Sequence, residues 1–257
     1  MRPADALRLL AERRLEAWLR GRPRPRHVGL VMDGNRRWAR GMGFADAGIG
    51  HRYGAAHAGR VLGWCRDLGI AQVTLFVAST DNIVSRESAE IDHLMRMVEE
   101  VTARELADPA SPWRVHLAGR LDMLPASCAR ALKEAEELTR DRPPGADVTV
   151  AIGYGGRDEI VDAVRSLLSD AARAGESLHD VAARVTDRDI AARLYTAGTP
   201  DPDLVIRTSG ERRLSGFLLW QSTHAELQFC DTYWPGFRRI DLLRALRAYA
   251  LRRSRVS

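Results

Sequence analysis

Short apolar runs rich in β-branched residues alternate along this chain with longer segments whose apolar positions recur at helical spacing. Runs of the first kind predict buried strands, and a period of about 3.6 residues predicts helices. The predicted strands are His27–Met32, Gln72–Ala78, Trp113–Ala118, Asp147–Ile152, Leu204–Ile206 and Glu226–Cys230. The predicted helices cover residues 50–68, 87–107, 125–140, 157–173 and 239–253. Strands that alternate with helices indicate an α/β domain with a mostly parallel sheet, although the strand order stays open.

A further helix is predicted near the N-terminus, and the Pro-Arg stretch Gly21–Arg26 separates it from the rest of the chain. We therefore divide the chain into a helix with its linker over residues 1–26 and a main domain over residues 27–257. Leu7, Leu10 and Trp18 share one face of this helix, with arginines spread around it. Such a helix either lies on an anionic membrane or packs against its own domain or a partner subunit.

The composition is that of an ordinary globular protein, with 45% hydrophobic and 28% charged residues among 257. No segment approaches the ~20 apolar residues of a membrane span. The N-terminal residues carry charges where a signal peptide needs an apolar run, so we expect no secretion signal. The three cysteines follow no paired spacing, which fits a reducing cytoplasm without disulfides or structural zinc. We expect a cytoplasmic protein, with peripheral contact to the inner face of the membrane as an extension.

The net charge of +5 raises the question of nucleic-acid binding. The basic residues are scattered, and Lys133 is the only lysine of the sequence. An arginine bias of this kind reflects either nucleotide composition or the binding of phosphate oxygens, which guanidinium groups hold bidentately. We expect no nucleic-acid partner.

Polar segments that contain glycine or asparagine follow four of the six predicted strands. Because ligands of parallel α/β sheets bind beyond the carboxyl ends of the strands, these segments are expected to open on one site. They are residues 33–38 (DGNRRW), 79–82 (STDN), 153–157 (GYGGR) and 207–213 (RTSGERR).

The first segment combines a carboxylate, Asp33, with a tight turn and with Arg36, Arg37 and Arg40. Backbone N–H groups beside guanidinium groups form a phosphate-binding loop; the alternative is an Asp-Gly turn with solvated arginines. A second cationic cluster follows the fifth strand and comprises Arg207, Arg212, Arg213, Ser209 and Ser215. Two such clusters and a carboxylate suit two diphosphates and Mg²⁺, which takes one or two carboxylates plus phosphate oxygens.

Glu226 lies inside an apolar run, where a carboxylate requires a partner, so it is either a second metal ligand or a salt-bridged edge-strand residue. Other chemistries lack their motifs: the chain contains no G-x-G-x-x-G, no P-loop, no G-x-S-x-G elbow and no H-E-x-x-H. His51 lies near the first cluster across a glycine-rich loop and is either a binding residue or structural.

Four segments resemble the signatures of the cis-prenyltransferases, the undecaprenyl diphosphate synthase family, and they occur in the family's order between about His27 and Arg253. They are HVGLVMDGNRRWAR, STDN, VAIGYGGRDEIV and DLVIRTSGERRLSGFLLWQSTHAELQFCDTYWP. The resemblance implies a homodimer, a single catalytic domain over residues 27–257, and a six-stranded, mostly parallel sheet flanked by helices around a hydrophobic tunnel. It implies Mg²⁺ as cofactor, and isopentenyl diphosphate and an allylic prenyl diphosphate as substrates.

The resemblance also implies roles for individual residues. Asp33 would bind Mg²⁺ and promote departure of the allylic diphosphate, and Glu226 would be the second metal ligand. Asn82 occupies a position associated with proton loss; as an amide is a poor base, we expect it to position the substrate. The implied substrate-binding residues are Gly34, Asn35, Arg36, Arg37, Trp38, His51, Ser79, Thr80, Asp81, Arg86, Arg207, Arg213, Leu214 and Ser215.

Departures from the family pattern bear on product length. Arg36 replaces a glycine, Asp81 replaces a glutamate, and Arg86 arrives after an inserted residue, which puts its role in doubt. A loop arginine of long-chain members is missing before His51, and Val77 is bulkier than the usual alanine. These features are most like the short-chain Z-isoprenyl diphosphate synthases of actinobacteria, which make Z,E-farnesyl diphosphate. A medium- or long-chain synthase and a non-catalytic partner subunit are the alternatives.

Overall fold

The computed structural model describes residues 3–46, 48–85 and 88–256. Arg86 therefore lies outside the described residues. The strands are β1 His27–Val31, β2 Gln72–Ser79, β3 Arg114–Ala118, β4 Asp147–Tyr154, β5 Leu204–Arg207 and β6 Glu226–Phe229. The helices are α1 Pro3–Leu19, α2 Asn35–Gly41, α3 Gly48–Asp67, α4 Thr80–Ser85, α5 Ser88–Val101, α6 Ala126–Thr139, α7 Gly156–Arg173, α8 Leu178–Arg184, α9 Asp187–Ala191 and α10 Arg239–Val256.

The six strands form one sheet in the order β3-β4-β2-β1-β5-β6, and every neighbouring pair is parallel. The predicted α/β fold and the six strands are thus confirmed, and the sheet is wholly parallel where the sequence predicted it mostly so. This order puts β1 at the centre, between β2 and β5. The segments that follow these three strands consequently meet at one edge of the sheet.

The helices that the periodicity did not predict are α2, α4, α8 and α9, which are five to seven residues long. Elements this short do not complete enough turns to show a helical period. The predicted helix 87–107 is divided: α5 ends at Val101, and a π-helical turn follows over Thr102–Leu106. A π-turn keeps apolar residues close to helical spacing, so the sequence pattern does not reveal it.

The main apolar core lies between one face of the sheet and helices α3, α5, α6 and α10, while a smaller cluster surrounds Phe217 and Tyr154. β4 is buried along its whole length. The N-terminal helix packs on α10 through its last turns, where Leu19 is buried and Glu16 pairs with Arg239 at 3.0 Å. Leu7 and Leu10 at its other end are exposed.

Candidate active site

The turn between β1 and α2 carries Asp33 to the carboxyl edge of the sheet. Gly34 has φ 96°, a left-handed conformation that glycine adopts without strain. A Cβ at this position would lie 2.6 Å from the Tyr233 ring and 3.0 Å from Ser209 Cβ, so both backbone and space require glycine. The turn thus fixes where the carboxylate of Asp33 stands.

Arg207, the last residue of β5, joins the two predicted cationic segments. It is 5% exposed. Its Nη2 donates to Asp33 Oδ2 at 2.8 Å, while its Nη1 donates to Ser215 Oγ and to the carbonyl of Arg213, both at 2.7 Å. One guanidinium group therefore holds the Asp33 turn and the 213–215 segment in a fixed relation.

Thr208 reinforces this junction and was not predicted as a site residue. Its hydroxyl accepts a hydrogen bond from the Asp33 N–H at 3.0 Å. Two carbonyl oxygens can accept the hydroxyl proton, that of Asp33 at 2.8 Å and that of Val31 at 3.2 Å. The side chain is buried. Its position within the RTSG segment is the only sequence signal for it, because the contact depends on β1 and β5 being neighbours.

Asp33 is ionised at neutral pH. Burial alone would raise the pKa of Asp33. The hydrogen bond and positive charge of Arg207, together with the N–H of Gly34 that donates to Oδ1, outweigh burial and hold the pKa below its ordinary value. Arg37 adds a third contact, since its Nη2 lies 3.4 Å from Oδ1 and donates to Ser209 Oγ at 2.8 Å. The result is a partly exposed carboxylate surrounded by arginines.

These groups line a polar cleft of about 480 Å³. The sequence-predicted residues that the structure brings together there are Asp33, Gly34, Asn35, Arg36, Arg37, His51, Ser79, Asn82, Arg207, Arg213 and Ser215. Glu211 also lines the cleft and pairs with Arg213 at 3.0 Å. Glu211 was not predicted as a site residue, although it lies inside the 207–213 segment, because three arginines dominate the charge of that segment.

Several predicted residues lie elsewhere. Trp38 packs in an aromatic group with Phe44 and Tyr53. Thr80 and Asp81 line an adjoining groove, where Thr80 Oγ1 donates to Asp158 at 2.8 Å. Leu214 packs partly buried against the smaller apolar cluster. These side chains support the cleft from outside rather than line it.

Glu226 lies far from Asp33 in the same chain. It begins β6, opposite Leu204, whereas Arg207 stands opposite Phe229 at the other end of the strand. Its carboxylate accepts from Arg252 Nη1 at 2.7 Å. Within one chain, therefore, Glu226 forms the salt bridge of an edge-strand residue and does not share the cleft.

A narrow apolar channel of about 90 Å³ continues from the polar cleft, and the two cavities share Met32, Asn35, His51 and Val77. Its walls come from α3, α5 and β2. The lining is Gly54, Ala55, Ala58, Leu75, Leu94, Met97, Val98, Val101, Thr102, Leu106, Val150 and Trp234 together with the four shared residues. The small residues of α3 recur at helical spacing, which was the available signal for this wall.

The site suits a divalent cation that also binds phosphate oxygens. Among the described residues no group of three or more histidine, cysteine, aspartate or glutamate side chains is placed to hold a metal. The ionised carboxylate of Asp33 in a cationic cleft nevertheless fits Mg²⁺, which is commonly held by one or two carboxylates plus substrate phosphates. Asp33 is the residue of this chain that would hold the ion.

Comparisons with known proteins agree with this geometry. A family model described as putative undecaprenyl diphosphate synthase matches residues 31–257. The chain belongs to this family. The isoprenyl transferase of Streptomyces fradiae is 57% identical over 256 residues, which cover 99% of this chain and 99% of the relative. The family resemblance inferred from the sequence is confirmed.

Two further matches extend the comparison. The (2Z,6E)-farnesyl diphosphate synthase of Thermobifida fusca (strain YX) is 53% identical over 246 residues, 96% of this chain and 95% of the relative. The crystal structure of lavandulyl diphosphate synthase from Lavandula x intermedia, in complex with dimethylallyl diphosphate, matches with a TM-score of 0.81 at 30% identity. That match covers 88% of this chain and 95% of the plant enzyme.

Proposed function

We propose that this protein is a short-chain cis-prenyltransferase, which condenses isopentenyl diphosphate with an allylic prenyl diphosphate to give a Z-configured product. The observation that carries the proposal is the continuity of the arginine-lined cleft with a narrow apolar channel through Met32, Asn35, His51 and Val77. A diphosphate needs the first environment and an isoprenoid chain needs the second. The names of the similar bacterial synthases support this activity.

The two substrates divide the cleft between them. The allylic diphosphate is assigned to the Asp33 turn with Arg36 and Arg37, because its hydrocarbon chain then enters the channel beside Asn35. Isopentenyl diphosphate is assigned to the second cluster, Arg207, Arg213 and Ser215. Guanidinium groups suit both sites, since they bind phosphate oxygens bidentately.

The isopentenyl double bond attacks C1 of the allylic partner, the bond from C1 to the diphosphate oxygen breaks, and a proton is lost from the resulting cation. Arg36 and Arg37 stabilise the negative charge that develops on the departing diphosphate, a contribution typical of positioned electrostatic groups. Mg²⁺ held by Asp33 would add Lewis-acid stabilisation of the same charge. Asn82 orients the isopentenyl group rather than accepting its proton.

The proposed homodimer reconciles Glu226 with a metal role. β6 is the edge strand of the described sheet, and an unpaired edge invites pairing with another strand. Antiparallel pairing with β6 of a second copy would set Glu226 opposite Phe229 of the partner subunit. Within each chain Phe229 lies beside Arg207, the residue that pairs with Phe229 between β5 and β6. Glu226 would then approach the partner's cleft, where it would serve as the second carboxylate.

A complementation experiment tests this dimer. Asp33→Ala and Glu226→Ala chains are each expected to form inactive homodimers. When the two are unfolded together and refolded as a mixture, about half of the dimers would be mixed. Each mixed dimer would contain one site with both carboxylates intact, so activity should return. If Glu226 acted within its own chain, every site of the mixture would lack one carboxylate and activity would stay absent.

We also propose that the protein contacts the membrane surface peripherally through α1. In the part of the chain that the structure describes, no helix is long and apolar enough to span a bilayer. Leu7 is 69% exposed and Leu10 is 47% exposed, beside Arg13 and Arg14. We expect the wild-type protein to sediment with anionic vesicles and the Leu7→Ser/Leu10→Ser variant to stay in the supernatant.

The deciding measurement for the function is a product assay with labelled isopentenyl diphosphate and Mg²⁺, in which dimethylallyl, geranyl and E,E-farnesyl diphosphates are offered in turn. A farnesyl-length product from the geranyl starter is expected. Polyprenyl products would keep the reaction and refute the short-chain proposal. The absence of any product from every starter would favour the partner-subunit alternative.

A further inference from the structure

The far end of the apolar channel is built by the π-turn that follows α5. The turn covers Thr102–Leu106 and closes with a hydrogen bond from the Ala107 N–H to the Thr102 carbonyl at 2.9 Å. A π-turn inserts one residue into a helix and is frequent at functional sites. Here it directs both Thr102 and Leu106 to the channel.

Leu106 separates two cavities. It is 4% exposed, yet it lines both the apolar channel and a second groove of about 340 Å³ on the outer side of α3. Gly59 and Gly63 form part of that groove, so the helix presents little side-chain bulk there. Removal of the Leu106 side chain would therefore join the channel to the groove and lengthen the apolar path.

Glu105 occupies the outer side of this partition. It lines the groove together with Leu106, and a Cβ at Gly59 would collide with its carboxylate. Gly59 thus leaves the room against α3 that the Glu105 carboxyl group occupies. The partition consists of one leucine and one carboxyl group held against a glycine.

Arg142 holds the π-turn in place. The residue follows α6, and its guanidinium Nη1 donates to the carbonyls of Leu106 and Trp113, both at 2.7 Å. Its Nη2 donates to the carbonyls of Ala107 at 3.2 Å and Asp108 at 2.6 Å. The last carbonyls of a helix have no intrahelical partner, so the three bonds to Leu106, Ala107 and Asp108 fix the end of the π-turn, and the fourth ties it to Trp113.

We propose that Arg142 is a positioning residue that sets product length by holding Leu106 as the partition between the channel and the outer groove. The inference rests on the proposed function, because it concerns where the growing chain stops. Arg142 lies behind the channel wall and touches no part of the cleft. It therefore affects the product without contributing to the chemical step.

The test compares Arg142→Met with Arg140→Met, a matched control. Arg140 lies two positions earlier, and it is exposed and paired with Glu137 on the surface. Each variant is given geranyl diphosphate and excess isopentenyl diphosphate, and the product lengths are resolved chromatographically. In Arg142→Met the fraction of products at least one isoprene unit longer should rise at least about fivefold. This lower limit corresponds to the loss of only one of the four hydrogen bonds that Arg142 makes. Arg140→Met should match the wild type.

Two further variants guard against ambiguity. Arg142→Lys keeps the charge but not the fork, so it should lengthen products to a smaller extent, and it replaces the methionine variant if that chain does not fold. Leu106→Ala should lengthen products as Arg142→Met does, and the double variant should add little. Unchanged product length in folded Arg142 variants, with longer products from Leu106→Ala, would overturn the role of Arg142. Inactivity of the wild type itself would instead refute the proposed function.

Discussion

Arg207 donates to Asp33 across a 2.8 Å contact, although 174 residues separate the two along the chain. The buried guanidinium keeps the carboxylate ionised, and the carboxylate in turn fixes the guanidinium beside Ser215. Each residue therefore determines whether the other can act. Substitutions at Asp33 and at Arg207 separate the contributions of the two residues.

Replacing Asp33 by asparagine keeps the size of the side chain and removes its charge. We expect turnover to fall by about 10²–10³, the usual loss when a group that stabilises transition-state charge is removed. Steady-state kinetics with Mg²⁺ measure this, and thermal unfolding shows whether the variant is folded. Asp122→Asn, at an exposed position away from the cleft, should leave both quantities unchanged. Near-normal turnover in Asp33→Asn would remove Asp33 from the mechanism.

Arg207→Lys keeps a positive charge but cannot form the three contacts of the fork. Because hydrogen bonds to charged groups contribute about 1.5–3 kcal/mol, the KM for isopentenyl diphosphate should rise at least about tenfold. The KM for the allylic substrate should change less, since Arg36 and Arg37 remain. Equal increases for both substrates would contradict the assignment of the two clusters.

Gly34→Ala should destabilise the protein by about 1–3 kcal/mol, because alanine is strained at φ 96° and its Cβ meets the Tyr233 ring. Denaturant unfolding measures the loss. Gly41→Ala is the matched control: Gly41 is the last residue of α2, the helix that follows the turn, and has open space where a Cβ would lie, so the change should be neutral or slightly stabilising. A neutral Gly34→Ala would show that the turn relaxes easily.

His57 predicts a pH dependence of stability. It is buried between Trp64 and Trp234, and burial, aided by the charge of Arg60, lowers its pKa from 6.5 to about 4. A lowered histidine pKa means that the unfolded chain binds the proton more tightly than the folded chain. The contribution of neutral His57 to the free energy of unfolding is therefore complete above pH 6.5 and is lost as the pH falls toward 4. The loss is at most about 3 kcal/mol.

The measurement is the free energy of unfolding between these pH values for the wild type and for His57→Gln. The slope should be smaller in the variant. Some slope should remain, because burial also lowers the pKa of His27. His179→Gln, at an exposed position, is the control and should keep the wild-type slope. An identical slope in His57→Gln would show that His57 titrates normally.

Local signals were sufficient for the strands and for most of the cleft. The segments after β1 and β5 contain both glycine and arginine, and parallel strands necessarily bring such segments to one edge. Asp33, Arg37 and Arg207 could therefore be predicted without knowing which strands are neighbours. The family itself was identified from the same segments.

Features that depend on tertiary contacts were not accessible in this way. Thr208 and Arg142 form hydrogen bonds with backbone groups that are distant in sequence. The identity of a residue does not indicate which distant backbone group it will contact. Trp38 follows the Asp33 turn by five positions, yet the short helix α2 rotates it away from the cleft to Phe44 and Tyr53. Glu226 was predicted to meet Asp33, but its place at the start of β6 separates the two within one chain.

The central position of β1 has a consequence for synthesis on the ribosome. β1 and its Asp33 turn emerge early, but their neighbour β5 begins only at Leu204, near the end of the chain. Until then Asp33 lacks Arg207, and β1 is an exposed edge of the sheet. Domains fold as units during translation, so a nascent chain of this protein is expected to bind neither diphosphate until nearly all of it has left the exit tunnel. Substrate binding would thus report that β5 has paired with β1.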